Sequence, residues 1–135
     1  PLNSNWGSPT DPSDVDDFLR AVGINFPAAW CAAFVFWCFQ EAAKNMGVPN
    51  PVPKTGGVLA MYSAAKDKRV PMPQVGDLFV MDFGGGKGHI GIIVKIVGLT
   101  LHTIEGNSNN DGSREGHTVV RHTRQIAQCK GFLRF

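Results

Sequence analysis

Cysteine is scarce in this chain, with 3 residues among 135 and no CxxC pair. An odd, scattered set excludes a fully paired disulfide framework and a four-cysteine zinc site. Cys31 and Cys38 on one helix would stand about 10 Å apart along its axis, beyond the reach of a bridge. Charge of one sign is also lacking in excess. Lys and Arg number 13 and Asp and Glu 11, a net charge of +2. That surplus is too small to imply nucleic acid as a partner. No apolar run approaches the roughly 18 residues of a membrane-spanning helix. The stretch from Phe26 to Phe39 is shorter and internal, so it is neither a span nor a signal peptide. No membrane partner is expected. Asp11, Asp14, Asp16 and Asp17 lack the spacing and the turn glycine of an EF-hand. They read as acids that complement a helix dipole. Neither a metal nor another cofactor is expected.

What remains is ordinary globular composition, 43% hydrophobic and 18% charged. The length suits one domain, 1–135, with a real core. The chain opens on Pro1 without Met, which reads as an excised or processed piece of a longer protein. Residues 1–13 read as irregular. Ser13 is placed to cap a helix from Asp14 to Ala21, with Gly23 as its stop. Phe18, Leu19, Val22 and Ile24 supply its apolar contacts.

The stretch from Pro27 to Phe39 organises the rest. It is almost wholly apolar, yet Cys31 sits where a helix should begin. Pro27 suits a position ahead of a helix start. Residues from Ala32 to Lys44 favour helix, Gly47 reads as the C′ residue and Pro49 as the break beyond it. Apolar on all sides, this helix should be buried. After a proline-rich loop, Thr55 can cap a third helix from Gly56 to Lys66, with Val58, Leu59 and Tyr62 on one side. Lys66, Lys68 and Arg69 then read as a solvated helix end.

From Asp77 the period becomes two. Strands are expected over Leu78–Phe83, Gly88–Val97, Leu101–Asn107, Thr118–Thr123 and Gly131–Phe135. Gly84–Gly88 is a flexible loop and Gly98 a turn, while 107–116 is a polar loop. Lys87 among glycines is not a phosphate loop, because no Ser or Thr follows and a strand comes next. Helices first and consecutive strands after give an α+β fold, with helices packed on an antiparallel sheet.

The chemistry gathers around two residues. Cys31 at a helix start meets unpaired N–H groups and the positive end of the dipole, which favour the thiolate. The alternative is a small buried core residue. His89 shares a strand face with Gly91, Ile93 and Lys95, and Ile90, Ile92, Val94 and Ile96 point the other way. Gly91 leaves room beside His89, where the helix start bearing Cys31 would fit. A hairpin centred on Gly98 would set His89 across from Asn107 and Gly91 across from Glu105. Both side chains could then orient the imidazole, Asn107 directly and Glu105 on the diagonal. A thiol, an imidazole and an orienting oxygen are the parts of nucleophilic acyl transfer. His102, His117 and His122 lack such neighbours and read as surface or structural residues. Trp30, Phe83 and Gly88 are candidates to border a substrate groove.

Trp30-Cys31-Ala32-Ala33-Phe34-Val35, Gly76-Asp77-Leu78-Phe79-Val80, Gly88-His89-Ile90-Gly91 and Glu105-Gly106-Asn107 together resemble the CHAP family of cysteine, histidine-dependent amidohydrolases and peptidases. The resemblance runs over roughly residues 14–135. It implies a papain-like α+β fold and cleavage of amide bonds in bacterial peptidoglycan, as an N-acetylmuramoyl-L-alanine amidase or an endopeptidase. It further implies Cys31 as nucleophile, His89 as general base, Glu105 as orienting acid and Asn107 as a further polar member. The peptide of peptidoglycan would be the partner, the cell wall the place of action, with flanking wall-binding or delivery domains beyond this chain. Two departures stand out. Relatives usually carry one more helix at the front, and the acidic motif of calcium-dependent members is absent. A cysteine amidase or transferase acting on another amide, or a non-catalytic wall-binding module, are the competing expectations.

Overall fold

Trp30 and Cys31 mark the start of the longest helix, α2, which runs Cys31–Met46. The computed structural model describes residues 12–23, 30–107 and 118–135. In α2 every residue from Cys31 to Phe36 is buried, and from Trp37 on the exposure rises. Burial on all sides thus holds for the first turns only. The later part is amphipathic, with Lys44 beside Glu41 on its outer face. Gly47, at φ 70°, ends the helix in the left-handed region. Its N–H donates to Lys44 O and that of Val48 to Ala43 O, a Schellman closure.

Helix α1 spans Pro12–Ala21 and stops at Gly23. It begins inside the segment expected to be irregular, because Pro12 is suited to a first helical position. Ser13 therefore lies within the helix and not ahead of it. Phe18 and Leu19 are buried against α2, and Phe18 stacks on Trp30 at 5.6 Å. Ile24, Phe26 and Pro27 lie outside the described residues. Helix α3 is shorter than expected, Val58–Ala64, with Val58, Met61 and Tyr62 buried. Thr55 accepts from the Gly57 N–H at 3.1 Å, a turn ahead of the helix instead of a cap on it.

Among the described residues the sheet has six strands. They are β1 (Arg69–Val70), β2 (Leu78–Gly84), β3 (Lys87–Val97), β4 (Thr100–Asn107), β5 (Thr118–Gln125) and β6 (Gly131–Leu133). Their spatial order is β1-β6-β2-β3-β4-β5 and every neighbouring pair is antiparallel. The fold is α+β with a curled antiparallel sheet, as the order of elements implied. Strand β1 was not foreseen. Arg69 is exposed but opens this strand, and its guanidinium lies 3.9 Å over the Tyr62 ring and donates to Tyr62 O. The expected glycine loop is a tight turn at Gly85-Gly86, both at positive φ, which lets β2 and β3 form a hairpin.

Alternation divides the sheet into two apolar faces. Leu78, Val80, Ile90 and Leu133 join α2 and α3 in the main core. Phe79, Met81, Ile93, Leu101 and Phe132 form a second cluster on the other face. Asp77, just before β2, ties that strand to the chain leaving β6. It is 2% exposed and takes two hydrogen bonds from Arg134, at 2.9 and 2.8 Å, besides the Gln74 N–H. This Asp belongs to the Gly76-Asp77-Leu78 motif, and its visible work is structural.

The register of β3 on β4 has one irregularity. Near the turn the pairs are Val97↔Thr100, Ile96↔Leu101 and Lys95↔His102. Beyond a bulge between Ile93 and Lys95 they become Ile93↔Thr103 and Ile92↔Ile104. The turn holds two residues, Gly98 and Leu99, so a hairpin centred on Gly98 alone is not what forms. The bulge restores the expected pairing for the His89 end of the strand. It also turns Ile96 to the face of Ile93, where it packs on the second cluster.

Candidate active site

Helix α2 packs on β3 and β4. This brings the Cys31 side chain into hydrogen-bonding contact with His89. Cys31 is 3% exposed and His89 4%. His89 Nε2 lies 2.6 Å from Glu105 Oε1. Since Nε2 is engaged there, Nδ1 is the ring nitrogen left for the thiol. The three side chains thus form a connected series, with Glu105 on the diagonal, as the register allowed.

Glycines make the approaches possible, though not the one expected. The space over Gly91 is filled by Phe79 and Glu105, not by the helix start. A Cβ there would come within 2.6 Å of Phe79 Cε2 and 2.7 Å of Glu105 Cγ. The helix comes close at Gly106, where a Cβ would stand 2.8 Å from the Trp30 ring and 3.1 Å from Phe34 Cβ. Gly91 makes room for the acid, and Gly106 for the start of the helix.

Glu105 is 1% exposed and fully engaged. Besides His89, it accepts from Thr103 Oγ1 at 2.6 Å, Arg124 Nε at 2.9 Å and Arg124 Nη2 at 2.6 Å. Burial pushes its pKa up, but the hydrogen bonds from Arg124, His89 and Thr103 outweigh burial and bring it down to about 2. Burial also works against a charged imidazole. The bonds and charges of Cys31 and Glu105 win there too, and raise His89 to about 9. The environment therefore supports imidazolium between two anions, the charge pattern of a thiolate–imidazolium pair.

The other candidates fall in different places. Asn107 ends β4, paired with Thr118, and its side chain lies outside the described residues. Trp30 is fully buried, with Phe18 stacked on it and Phe34 edge-on, so it lines the core and no open groove. Gly88 is half-buried against Val58 and Leu59 of α3. Phe83 is 43% exposed, the extra residue of a bulge in β2. His102 and His122 border a shallow cleft with Arg121 and Thr123, and His117 lies outside the described residues. Among the described residues no group of three or more His, Cys, Asp or Glu could hold a metal. Of the Asp11–Asp17 set, Asp17 pairs with Arg20 on the surface. Asp11 and the side chains of Asp14 and Asp16 lie outside the described residues.

Sequence reasoning missed Thr103 and Arg124. Thr103 lies two residues before Glu105, on the same strand face, and was given no role. Arg124 fell beyond the expected end of its strand, which in fact runs on to Gln125. The available signal was that a buried carboxylate needs a partner charge, and Arg124 keeps the alternation of Glu105's face.

An α+β domain that sets thiol, imidazole and carboxylate in series at a helix start has the parts of a thiol-dependent acyl-transfer site. The sequence profile of the CHAP domain family matches residues 23–107, a span that includes Cys31, His89 and Glu105. The chain belongs to the CHAP domain family, whose members are generally amidases or peptidases. No curated protein and no solved structure matches it.

Proposed function

We propose that this chain is a cysteine hydrolase that cleaves amide bonds in the peptide part of bacterial peptidoglycan, as an N-acetylmuramoyl-L-alanine amidase or an endopeptidase. The observation that carries the reading is the unbroken series Cys31–His89–Glu105. Cys31 is the nucleophile, His89 the general base and acid, and Glu105 the orienting acid. A nucleophile at the head of a helix, facing a base and an acid on an antiparallel sheet, supports a papain-like arrangement. Asn107, next after Gly106 in the family motif, is a further polar member.

The steps follow from these groups. His89 holds the proton of the thiol, and the thiolate attacks the amide carbonyl to form a C–S bond. The Cys31 N–H, in the first turn of α2, helps hold the oxyanion. The tetrahedral intermediate collapses as His89 passes the proton to the departing amine, leaving a thioester. Water, losing a proton to His89, then attacks the thioester. It releases the acid, and the thiolate–imidazolium pair re-forms. Glu105 keeps its charge throughout and offsets the imidazolium.

The substrate sets the place of action at the cell wall. Flanking wall-binding or delivery domains in a longer protein would bring this domain there. The test is digestion of purified cell wall with mass analysis of the fragments. Cys31→Ala should abolish release while the fold survives, and Cys38→Ala and Cys129→Ser should keep it. Burial and the nearby Glu41 push the Cys38 thiol up to about 12, which suits it poorly as a nucleophile. Fragments released equally by Cys31→Ala would overturn the assignment. An active thiol with no wall fragments would redirect it to another amide, and an inert Cys31 to a binding module.

A further inference from the structure

Arg124 has no part in the steps above, lies outside the span matched by the family profile, and yet grips both oxygens of Glu105. We propose that Arg124 is a positioning residue: its guanidinium fork holds Glu105 ionised and aimed at His89, so that the Cys31–His89 ion pair can form. The proposal rests on the catalytic reading of Cys31 and His89.

Charge balance is the first reason. A thiolate, an imidazolium and a carboxylate sum to one net negative charge. They would do so in a site where Cys31, His89 and Glu105 are each under 5% exposed. A buried uncompensated charge is costly, and such a site would relieve itself by protonating Glu105 or the thiolate. Arg124, with its side chain 21% exposed, brings the sum to zero while keeping contact with solvent.

Geometry is the second reason. In β5, Arg124 pairs with Leu101, and its side chain runs along the face to Glu105. Nη2 meets Oε1, the oxygen that also meets His89, and Nε meets Oε2. Two parallel bonds from a planar fork fix the carboxylate plane, which an ammonium cannot do. Thr103 Oγ1 lies 2.6 Å from Oε2 and 3.3 Å from His122 O, so its single proton goes to the carboxylate. Phe79 of β2 lies under Arg124 at 6.0 Å, and burial raises the Cys129 thiol to about 11, which leaves it uncharged.

The readout is the pH dependence of Cys31 alkylation by iodoacetamide, followed by peptide mapping so that Cys38 and Cys129 are scored apart. It needs no substrate. In the wild type, Cys31 should react as thiolate well into acid. Arg124→Gln should move that acid limb up by about one pH unit or more, since a lost positive neighbour raises the pKa of both anions. Arg124→Lys should shift it less, because it keeps the charge and loses the fork. Thermal melting confirms folding. An Arg124→Gln limb that coincides with the wild type overturns the proposal alone. A wild-type Cys31 that reacts no faster than Cys38 or Cys129 overturns the catalytic reading and this proposal with it. Should Arg124→Gln not fold, an Arg124→Lys limb identical to the wild type overturns the requirement for the fork.

Discussion

Replacing Glu105 by Gln keeps the shape of the side chain and removes its charge. In the wild type, Oε1 receives His89 and Arg124 while Oε2 receives Thr103 and Arg124. A glutamine has one acceptor oxygen. With that oxygen toward His89, its amide N–H group meets Thr103, which can accept, and Arg124 Nε, which cannot. One buried donor pair therefore opposes itself. The larger effect falls on His89. A hydrogen bond to a charged partner contributes about 1.5–3 kcal/mol and one between neutral groups about 0.5–1.5. The difference, about 1–2 kcal/mol, corresponds to about one pKa unit. Arg124 would then face the imidazolium without its counter-charge, which adds to the loss. His89, held at about 9 in the wild type, should therefore lose its proton at least about one unit lower. The ion pair exists only below that pH, so the active range contracts from its alkaline side. The same loss of stabilisation should slow turnover near neutrality by about 5- to 30-fold. The assay is a pH–rate profile on purified peptidoglycan for Glu105→Gln and Asn107→Ala together. Asn107→Ala should cost less. A wild-type profile for Glu105→Gln beside an inactive Asn107→Ala would transfer the orienting role to Asn107.

Stability should depend on pH with the signs set by the same pair. The pKa of His89 is raised from 6.5 to about 9, so its contribution is full below 6.5 and is lost as pH rises through 9. That of Glu105 is lowered from 4.5 to about 2, so its contribution is present above 4.5 and is lost as pH falls through 2. Thermal midpoints measured across pH should fall on both sides of that interval, and His89→Gln should flatten the alkaline side. Gly106→Ala should destabilise by about 1–3 kcal/mol in urea unfolding, because its Cβ would stand 2.8 Å from the buried Trp30 ring. A neutral result would mean that α2 can shift away from β4. EDTA should leave cell-wall digestion nearly unchanged, and a loss restored by calcium would bring the Asp11–Asp17 acids into the site.

Much of the site could be read from spacing because alternation holds along β4 and along the His89 end of β3. His89 and Glu105 were assigned to one face, a diagonal apart, from strand alternation and an assumed turn at Gly98, and Cys31 to a helix start from its place within an apolar run. The errors share a different origin. Gly91 was assigned the wrong occupant because a missing side chain announces space without saying which element fills it. Trp30 was offered to a groove because an aromatic beside a reactive residue looks the same whether it faces solvent or core. Its burial depends on Phe18, which arrives from another helix. Arg124 was overlooked because the strand was ended at Thr123, before the residue whose side chain reaches back along the sheet. Those facts are tertiary, and local pattern does not hold them.

The bulge between Ile93 and Lys95 amounts to a parity correction. A two-residue turn alone would set Gly91 across from Gly106 and send Glu105 to the face opposite His89. One surplus residue in β3 cancels that offset, so the acid and the base meet. The meeting is therefore decided in the outer half of the hairpin, several residues from any reacting atom. Substitutions at the exposed positions of this part, Val94, Val97 and Leu99, are tolerable so long as the count is kept. Insertions or deletions of one residue are not, because they exchange the two faces wholesale. Such a chain could keep its strands, its turn and all of its site residues, and still separate His89 from Glu105 by the thickness of the sheet.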